Sequence, residues 1–294
     1  MKNRMKAWLG AGLVVLLFAA APQPAPAQTK PEDKVKALQK MLPGDVDFKF
    51  GSVTTGSTPG SILVKDVVIT QKPNPAQPKA DQPIKIAEIE LREYDEKSPK
   101  PQFADVSLRG VQIPLDDSDQ KDLKAMGYTQ VVLDFTYKFR FDQSTTTLTI
   151  NEIRIDGVDM GSLSIQLTLG GIPSIDWSDE KNLQMMMGAT IVGATIKYKD
   201  MSLIERALKK EATEKNVTVD VLRAQKIAEV KVEEDKEPSA AGKAAYGAFR
   251  KFMEKPGTIT ISAKPKQPVP IMGVMAIKDF GQAAELFGLT VSAE

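Results

Sequence analysis

The chain has neither histidine nor cysteine among its 294 residues, which removes imidazole and thiol chemistry together. No Ser-His-Asp triad, Cys-His pair or zinc site of the usual ligand sets can be assembled. Carboxylate, lysine, serine and tyrosine chemistry remain. Ser118-x-x-Lys121 and Ser178-x-x-Lys181 reproduce the serine and lysine spacing of penicillin-recognising enzymes. Neither is followed by the companion Lys-Thr-Gly, and each serine lies where a helix cap is expected. Asp116, Asp117 and Asp119, or Asp156 and Asp159 around Gly157, could collect calcium. No glutamate stands at the spacing of a calcium loop, however, and aspartates in turns bond their own backbone. Met185-Met186-Met187 offers thioethers to an apolar pocket or to copper(I), but neighbours on a helix point about 100° apart and cannot face one ligand. A glycine-rich phosphate loop is also missing. The expectation is no catalytic set, no metal site, no cofactor, and a protein that is not an enzyme.

The N-terminus indicates a compartment. Lys2, Arg4 and Lys6 precede an apolar run from Ala7 to Ala21, and Ala25-Pro26-Ala27 stands just before Gln28. That is the pattern of a secretory signal peptide cleaved after Ala27. The run is shorter than the roughly 20 residues of a spanning helix. The expected location is the periplasm, with an uncleaved inner-membrane anchor as the alternative; membrane contact is then through the signal segment alone. Without cysteine the exported chain has no disulfide framework and no acceptor for a lipoprotein anchor, so an ordinary core must hold it. Lys+Arg number 39 against 38 Asp+Glu, and losing the three basic signal residues takes the formal charge from +1 to −2. Nucleic-acid binders carry a clustered basic excess, so no nucleic-acid partner is expected.

The elements that would have to position any site begin with a strand meander. In Val131 to Phe141 the odd positions are Val131, Leu133, Phe135, Tyr137, Phe139 and Phe141, and from Asp134 onward the even ones are polar. This is the period of two of a strand with one dry and one wet face. Short turns at Asp142 to Thr145 and Asp156-Gly157 link it to Leu148–Ile155 and then to Leu163, Ile165, Leu167 and Leu169. A repeat runs through the same region: Ile62-x-Val64-Lys-Asp-Val67-x-Ile69, Ile84-x-Ile86-Ala-Glu-Ile89-x-Leu91 and Val106-x-Leu108-Arg-Gly-Val111-x-Ile113. Leu148-x-Ile150-Asn-Glu-Ile153-x-Ile155 repeats it, and Ala189-x-Ile191-Val-Gly-Ala194-x-Ile196 does so more loosely. In each the apolar residues change parity at the central pair. Either both faces are covered, or a bulge there restores the face and bends every strand at one level, or the pattern is chance in a Val/Ile-rich chain.

Helices are expected from Pro31 to Leu42, from Asp116 to Gly127 and from Asn182 to Met187. Three more follow. Ser202 and Glu205 read as a capping box, with Leu203, Ile204, Ala207 and Leu208 turned inward. The next runs from about Val219 to Glu233 with Val221, Ala224, Ile227 and Ala228 on one side, and Ser239 caps one carrying Ala241, Ala245, Ala248 and Phe252. Gly51 to Gly60 reads as a loop, and Thr258–Ala263 and Leu289–Ala293 as strands flanking a helix closed by Gly288. The expected class is α+β: a curved, mainly antiparallel sheet of repeated amphipathic strands with helices packed on one face and a mostly helical C-terminal third. The divisions are 1–27 signal peptide, 28–200 β-rich domain and 201–294 helical region whose strands return to the sheet.

With its signal peptide, its repeated strands and strings such as Leu163-Ser-Ile-Gln-Leu-Thr-Leu169-Gly-Gly, the chain resembles AsmA-type and related proteobacterial envelope proteins, mainly over Ser61 to Gly171. The resemblance implies a curved sheet whose apolar inner face cradles lipid. It carries no functional residue across, and this chain departs by its short length and its helical C-terminal part. Two readings stand. One is a binding module holding a lipid or other apolar ligand on the face of Leu133, Phe135, Tyr137, Phe139 and Phe141. The other is an envelope scaffold or assembly factor that recruits a protein partner through an edge strand or helix face. Expression in a Gram-negative host should yield a processed protein whose intact mass places the N-terminus at Gln28; a retained leader at that mass measurement would select the anchored alternative.

Overall fold

The computed structural model describes residues 30–39, 46–71, 82–95, 98, 101–114, 117–173, 188–274, 277 and 280–294. The described chain is an α+β fold built on one large, open antiparallel sheet of 12 strands. After helix α1 (Pro31–Gln39) come β1 (Val46–Lys49), β2 (Ser52–Thr55), β3 (Ile62–Gln71), β4 (Ile84–Tyr94) and β5 (Phe103–Gln112). Helix α2 (Asp117–Ala125) precedes β6 (Val132–Asp142), β7 (Thr147–Gly157), β8 (Gly161–Gly170) and β9 (Thr190–Asp200). Three helices follow, α3 (Leu203–Glu214), α4 (Val219–Lys236) and α5 (Ala240–Glu254), then β10 (Thr258–Ala263) and β11 (Val269–Pro270). Short helices α6 (Ile271–Val274) and α7 (Phe280–Phe287) lead into β12 (Leu289–Ala293).

Strand order follows chain order: β1-β3-β4-β5-β6-β7-β8-β9-β10-β12, with β2 also on β3 and β11 also on β9. The last strands thus rejoin the main sheet. The helical expectation for Asn182 to Met187 lies outside the described residues.

The parity change of the repeats is resolved by kinks at the central pairs. In β5 the register shifts between Leu108 and Val111, and Gly110 sits there at φ +63°. In β7 it shifts between Ile150 and Ile153. In β9 the shift falls between the partners of Thr168 and Leu169, which are Gly193 and Ile191. The first two copies need no shift, because their central pairs oppose each other; Asp66 takes φ +54° there, and β1 and β2 break at the same level across Phe50 and Gly51. A bulge adds one residue, so the apolar residues on both of its sides point the same way. Ile62, Val64, Val67, Ile86, Ile89, Leu91, Val106, Leu108 and Val111 accordingly share one buried cluster.

Several local expectations change. Gly51 to Gly60 contains β2, whose four residues are too few to show a period. Ser202 does not cap α3: its hydroxyl bonds the Asp159 carbonyl, and Asp200 Oδ1 accepts from the Ile204 N–H at 3.0 Å instead. Asp200 lies four residues earlier and reaches the helix from the end of β9. Of the expected inner face of α3, Leu208 is buried with Ile204 packed on its cluster and Ala207 is exposed, while Ala212 is buried one turn further along. In α4 the buried residue is Leu222, while Val221, Ala224 and Ala228 face outward, because α4 packs on α3 and α5 through its adjacent stripe. The Ser239 cap stands as expected: its Oγ accepts from the Gly242 N–H at 2.9 Å, and Ala245, Ala248 and Phe252 are buried. No helix among the described residues is long and apolar enough to cross a membrane.

A side chain at Gly110 would place its Cβ 2.9 Å from the Ala87 Cβ, on a backbone that already has positive φ. Gly110→Val is expected to lower unfolding stability by roughly 1–3 kcal/mol in a denaturant titration.

Candidate functional site

The register assembles apolar side chains into ladders that cross the sheet. One runs Val53, Val64, Ile89, Leu108, Phe135, Ile155, Leu163, Tyr198, Ile259 and Ala293, one residue from each successive strand. The next runs Ile62, Leu91, Val106, Tyr137, Ile153, Ile165, Ile196, Ile261 and Val291. Directly opposed residues in antiparallel strands share a face, so these ladders make one apolar surface.

Coverage of that surface is uneven. On the β2 to β5 side Val53, Val64, Ile89, Leu108, Leu91 and Val106 are buried, and on the β10 side Ile259 is buried near α5. Between them Phe135, Tyr137, Ile153, Ile155, Leu163 and Ile165 are only partly buried, and Ile196 is 40% exposed. Phe252 of α5 meets Tyr198 edge-on at 6.1 Å and marks the C-terminal flank. One and two ladders further on, the surface closes: Phe139, then Phe141, Leu148 and Leu169, lie in the core.

The five residues expected on β6 therefore share one face but differ in setting. Leu133, Phe135 and Tyr137 border the open stretch, and Phe139 and Phe141 are core, with 4% and 6% exposure. Tyr137 stacks at 5.4 Å on Phe139, and burial pushes its hydroxyl pKa up to about 12.

The opposite face of β3 to β6 carries an ion-pair ladder. Lys65 and Arg109 hold Glu88 at 3.1 and 3.2 Å, Arg92 joins Glu90 to Asp105 at 3.4 and 3.3 Å, and Lys138 reaches Asp105 at 3.0 Å. Glu90 also accepts from the Ser57 N–H at 2.6 Å. Burial works to raise the Glu90 pKa, but the bonds from Ser57 and Arg92 outweigh it and hold it below the ordinary value. The hydrogen bond from Lys65 does the same for Glu88, with burial opposing. Every acid here has a cation, so the ladder is a satisfied structural surface.

Sequence reasoning also missed a polar clasp that joins distant segments. Arg206 lies over the Tyr128 ring at 4.4 Å, donates to Ser202 Oγ at 3.0 Å and to the Gly127 carbonyl at 3.1 Å. Tyr128 donates to the Asp159 carbonyl at 3.1 Å. The Ser202 hydroxyl bonds the same Asp159 carbonyl, so the clasp ties the β7–β8 turn to α3. Its members lie up to 79 residues apart, too far for a spacing pattern.

Of the chemical candidates, Asp156 pairs with Arg154 at 2.7 Å, and Asp159 sits in the β7–β8 turn at φ +56°. Asp117, Ser118 and Asp119 fall at the start of α2. Asp116, Ser178, Lys181 and Met185 to Met187 lie outside the described residues. Among the described residues no group of three acids could hold a metal ion.

Glu88 and Glu90 are held low, so their contribution to stability is present above the ordinary glutamate value of 4.5 and is lost as pH falls through their lower folded values. The thermal midpoint should drop as the buffer passes from about pH 5 to about pH 3, and Glu90→Gln should flatten that drop.

A family model described as "Uncharacterized protein" matches residues 154–294, from the second half of β7 through β12. No curated protein matches the chain.

Proposed function

We propose that this is an exported, non-enzymatic periplasmic binding module that holds a lipid or other apolar ligand against its sheet, in the manner of the AsmA-type proteins it resembles. The carrying observation is the gap in coverage of the apolar ladders. Phe135, Tyr137, Ile153, Ile155, Leu163, Ile165 and Ile196 form a contiguous apolar floor between two buried flanks. Leaving that much apolar surface wet costs about 25 cal/mol per Å², and contiguous exposed apolar surface marks sites that something covers. Kinks at one level of β1 to β5, and further along in β7 and β9, favour a curved sheet, with helices on the ladder face forming one wall. Leu133, Phe135 and Tyr137 are the ligand-facing members of β6, and Phe139 and Phe141 support them from the core.

The scaffold reading keeps one observation of its own. Val221 and Val232 are 45% and 49% exposed on α4, a helix whose inner stripe is already buried against its neighbours. Such an outer face suits a protein partner better than an acyl chain.

Native mass spectrometry of the exported protein, followed by solvent extraction, tests the first reading. Stoichiometric lipid is the expected result. Ile165→Glu, which places a charge on the floor, should abolish it while far-UV circular dichroism stays unchanged. Protein that arrives empty and takes up no lipid from added vesicles would overturn the reading in favour of the scaffold.

A further inference from the structure

An open sheet has two edges, and in this protein they are built differently. The first is formed by β1 and β2, two strands of four residues each, interrupted at Phe50 and Gly51 and carrying Asp47 and Lys49. Short, broken and charged edges resist pairing with another chain. The last is β12, Leu289–Ala293, an unbroken strand without charge, proline or bulge. Among the described residues it pairs with β10 and with no other strand.

The unused side of β12 can be assigned residue by residue. Thr258 and Glu294 exchange two backbone hydrogen bonds, each of 2.9 Å. Antiparallel pairs alternate, so Ser292 and Thr290 also bond inward to β10, while Leu289, Val291 and Ala293 direct their N–H and C=O groups away from the sheet. Nothing among the described residues receives them.

We propose that β12 pairs with β12 of a second copy of this chain, antiparallel about a two-fold axis through Val291, joining two sheets into one. The sequence of the strand is self-complementary in that register. Val291 faces its own counterpart, and the large Leu289 faces the small Ala293, on the apolar side. On the polar side Thr290 faces Ser292, so hydroxyl meets hydroxyl and no like charges oppose. Every outward backbone group of Leu289, Val291 and Ala293 finds a partner. A two-fold axis normal to the sheet also keeps both apolar faces on one side. Pairing β12 with the β1–β2 edge instead would set it against a broken strand bearing Asp47 and Lys49, and would leave free edges to continue the chain of copies.

The test uses the full exported chain and two exposed positions, Thr290 and Ser292. Sedimentation equilibrium of the native protein should give twice the chain mass. The double variant Thr290→Lys with Ser292→Lys opposes two lysine pairs across the axis and should weaken dimerisation by about tenfold or more. The double variant Thr290→Lys with Ser292→Glu opposes lysine to glutamate at both places and should restore it. Circular dichroism of both variants should match the native protein, since neither side chain is packed, and the thermal midpoint of the double-lysine variant should fall only by the concentration-dependent stabilisation that the dimer supplies. A native protein that stays monomeric at its highest soluble concentration would overturn the proposal. So would a dimer indifferent to both double variants, or a ladder of higher oligomers.

Discussion

A strand has only two faces, and one added residue exchanges them. Everything in this fold follows from how that constraint is met. Each repeat places alternating apolar residues on either side of a central pair, which in a regular strand would send half of them into solvent. The kinks at Asp66, Gly110, the Ile150 to Ile153 step and the Ile191 to Gly193 step put both halves back on one side. The kinks of β3 to β5 fall at one level, and those of β7 and β9 fall to either side of the Phe139–Ile150–Leu167–Ala194 ladder, so the two ladders from Val53 and from Ile62 run between them unbroken to β12. Displacing one kink by a residue would break two ladders at once, which makes Gly110, with its positive φ and the Ala87 contact behind it, a position of little tolerance.

Two consequences of this arrangement pull against each other. A single apolar face across ten strands is larger than the described helices cover. The helices divide the work: α5 brings Ala245, Ala248 and Phe252 to the β10–β12 end, while α3 and α4 build a small cluster of their own around Leu208, Ala212 and Leu222. The α3–α4 pair is fixed at its base by the Arg206 clasp and by Lys210, which reaches Asp122 of α2 at 3.4 Å. The polar face needs no such cover, since its cross-strand ion pairs neutralise Glu88, Glu90 and Asp105 where they stand.

The strands were legible because period-two alternation is a local property. Odd positions from Leu133 to Phe141 announced β6, and the doubled apolar pattern announced a kink as one of its solutions. What stayed hidden is non-local. Nothing in the spacing of Leu133 to Phe141 distinguishes the two phenylalanines that end in the core from the residues that border the gap, because cover comes from segments far along the chain. The capping box at Ser202 failed for the same reason: a carbonyl from the β7–β8 turn claimed the hydroxyl, and Asp200 took over the helix end. In α4 two apolar stripes compete, and helical period alone cannot say which one a neighbour will choose.

Strand order that tracks chain order also bears on how the molecule is made. From β3 to β9 each new strand finds its partner already in place immediately behind it, so the sheet can grow vectorially, one hairpin at a time, as the chain leaves a pore or a ribosome. The cost is a travelling unpaired edge that stays adhesive until growth stops. The long, lysine-rich α3–α4 excursion between β9 and β10 delays the final strands, so for that interval β9, with Lys197 and Lys199 exposed along it, serves as the temporary border of the sheet.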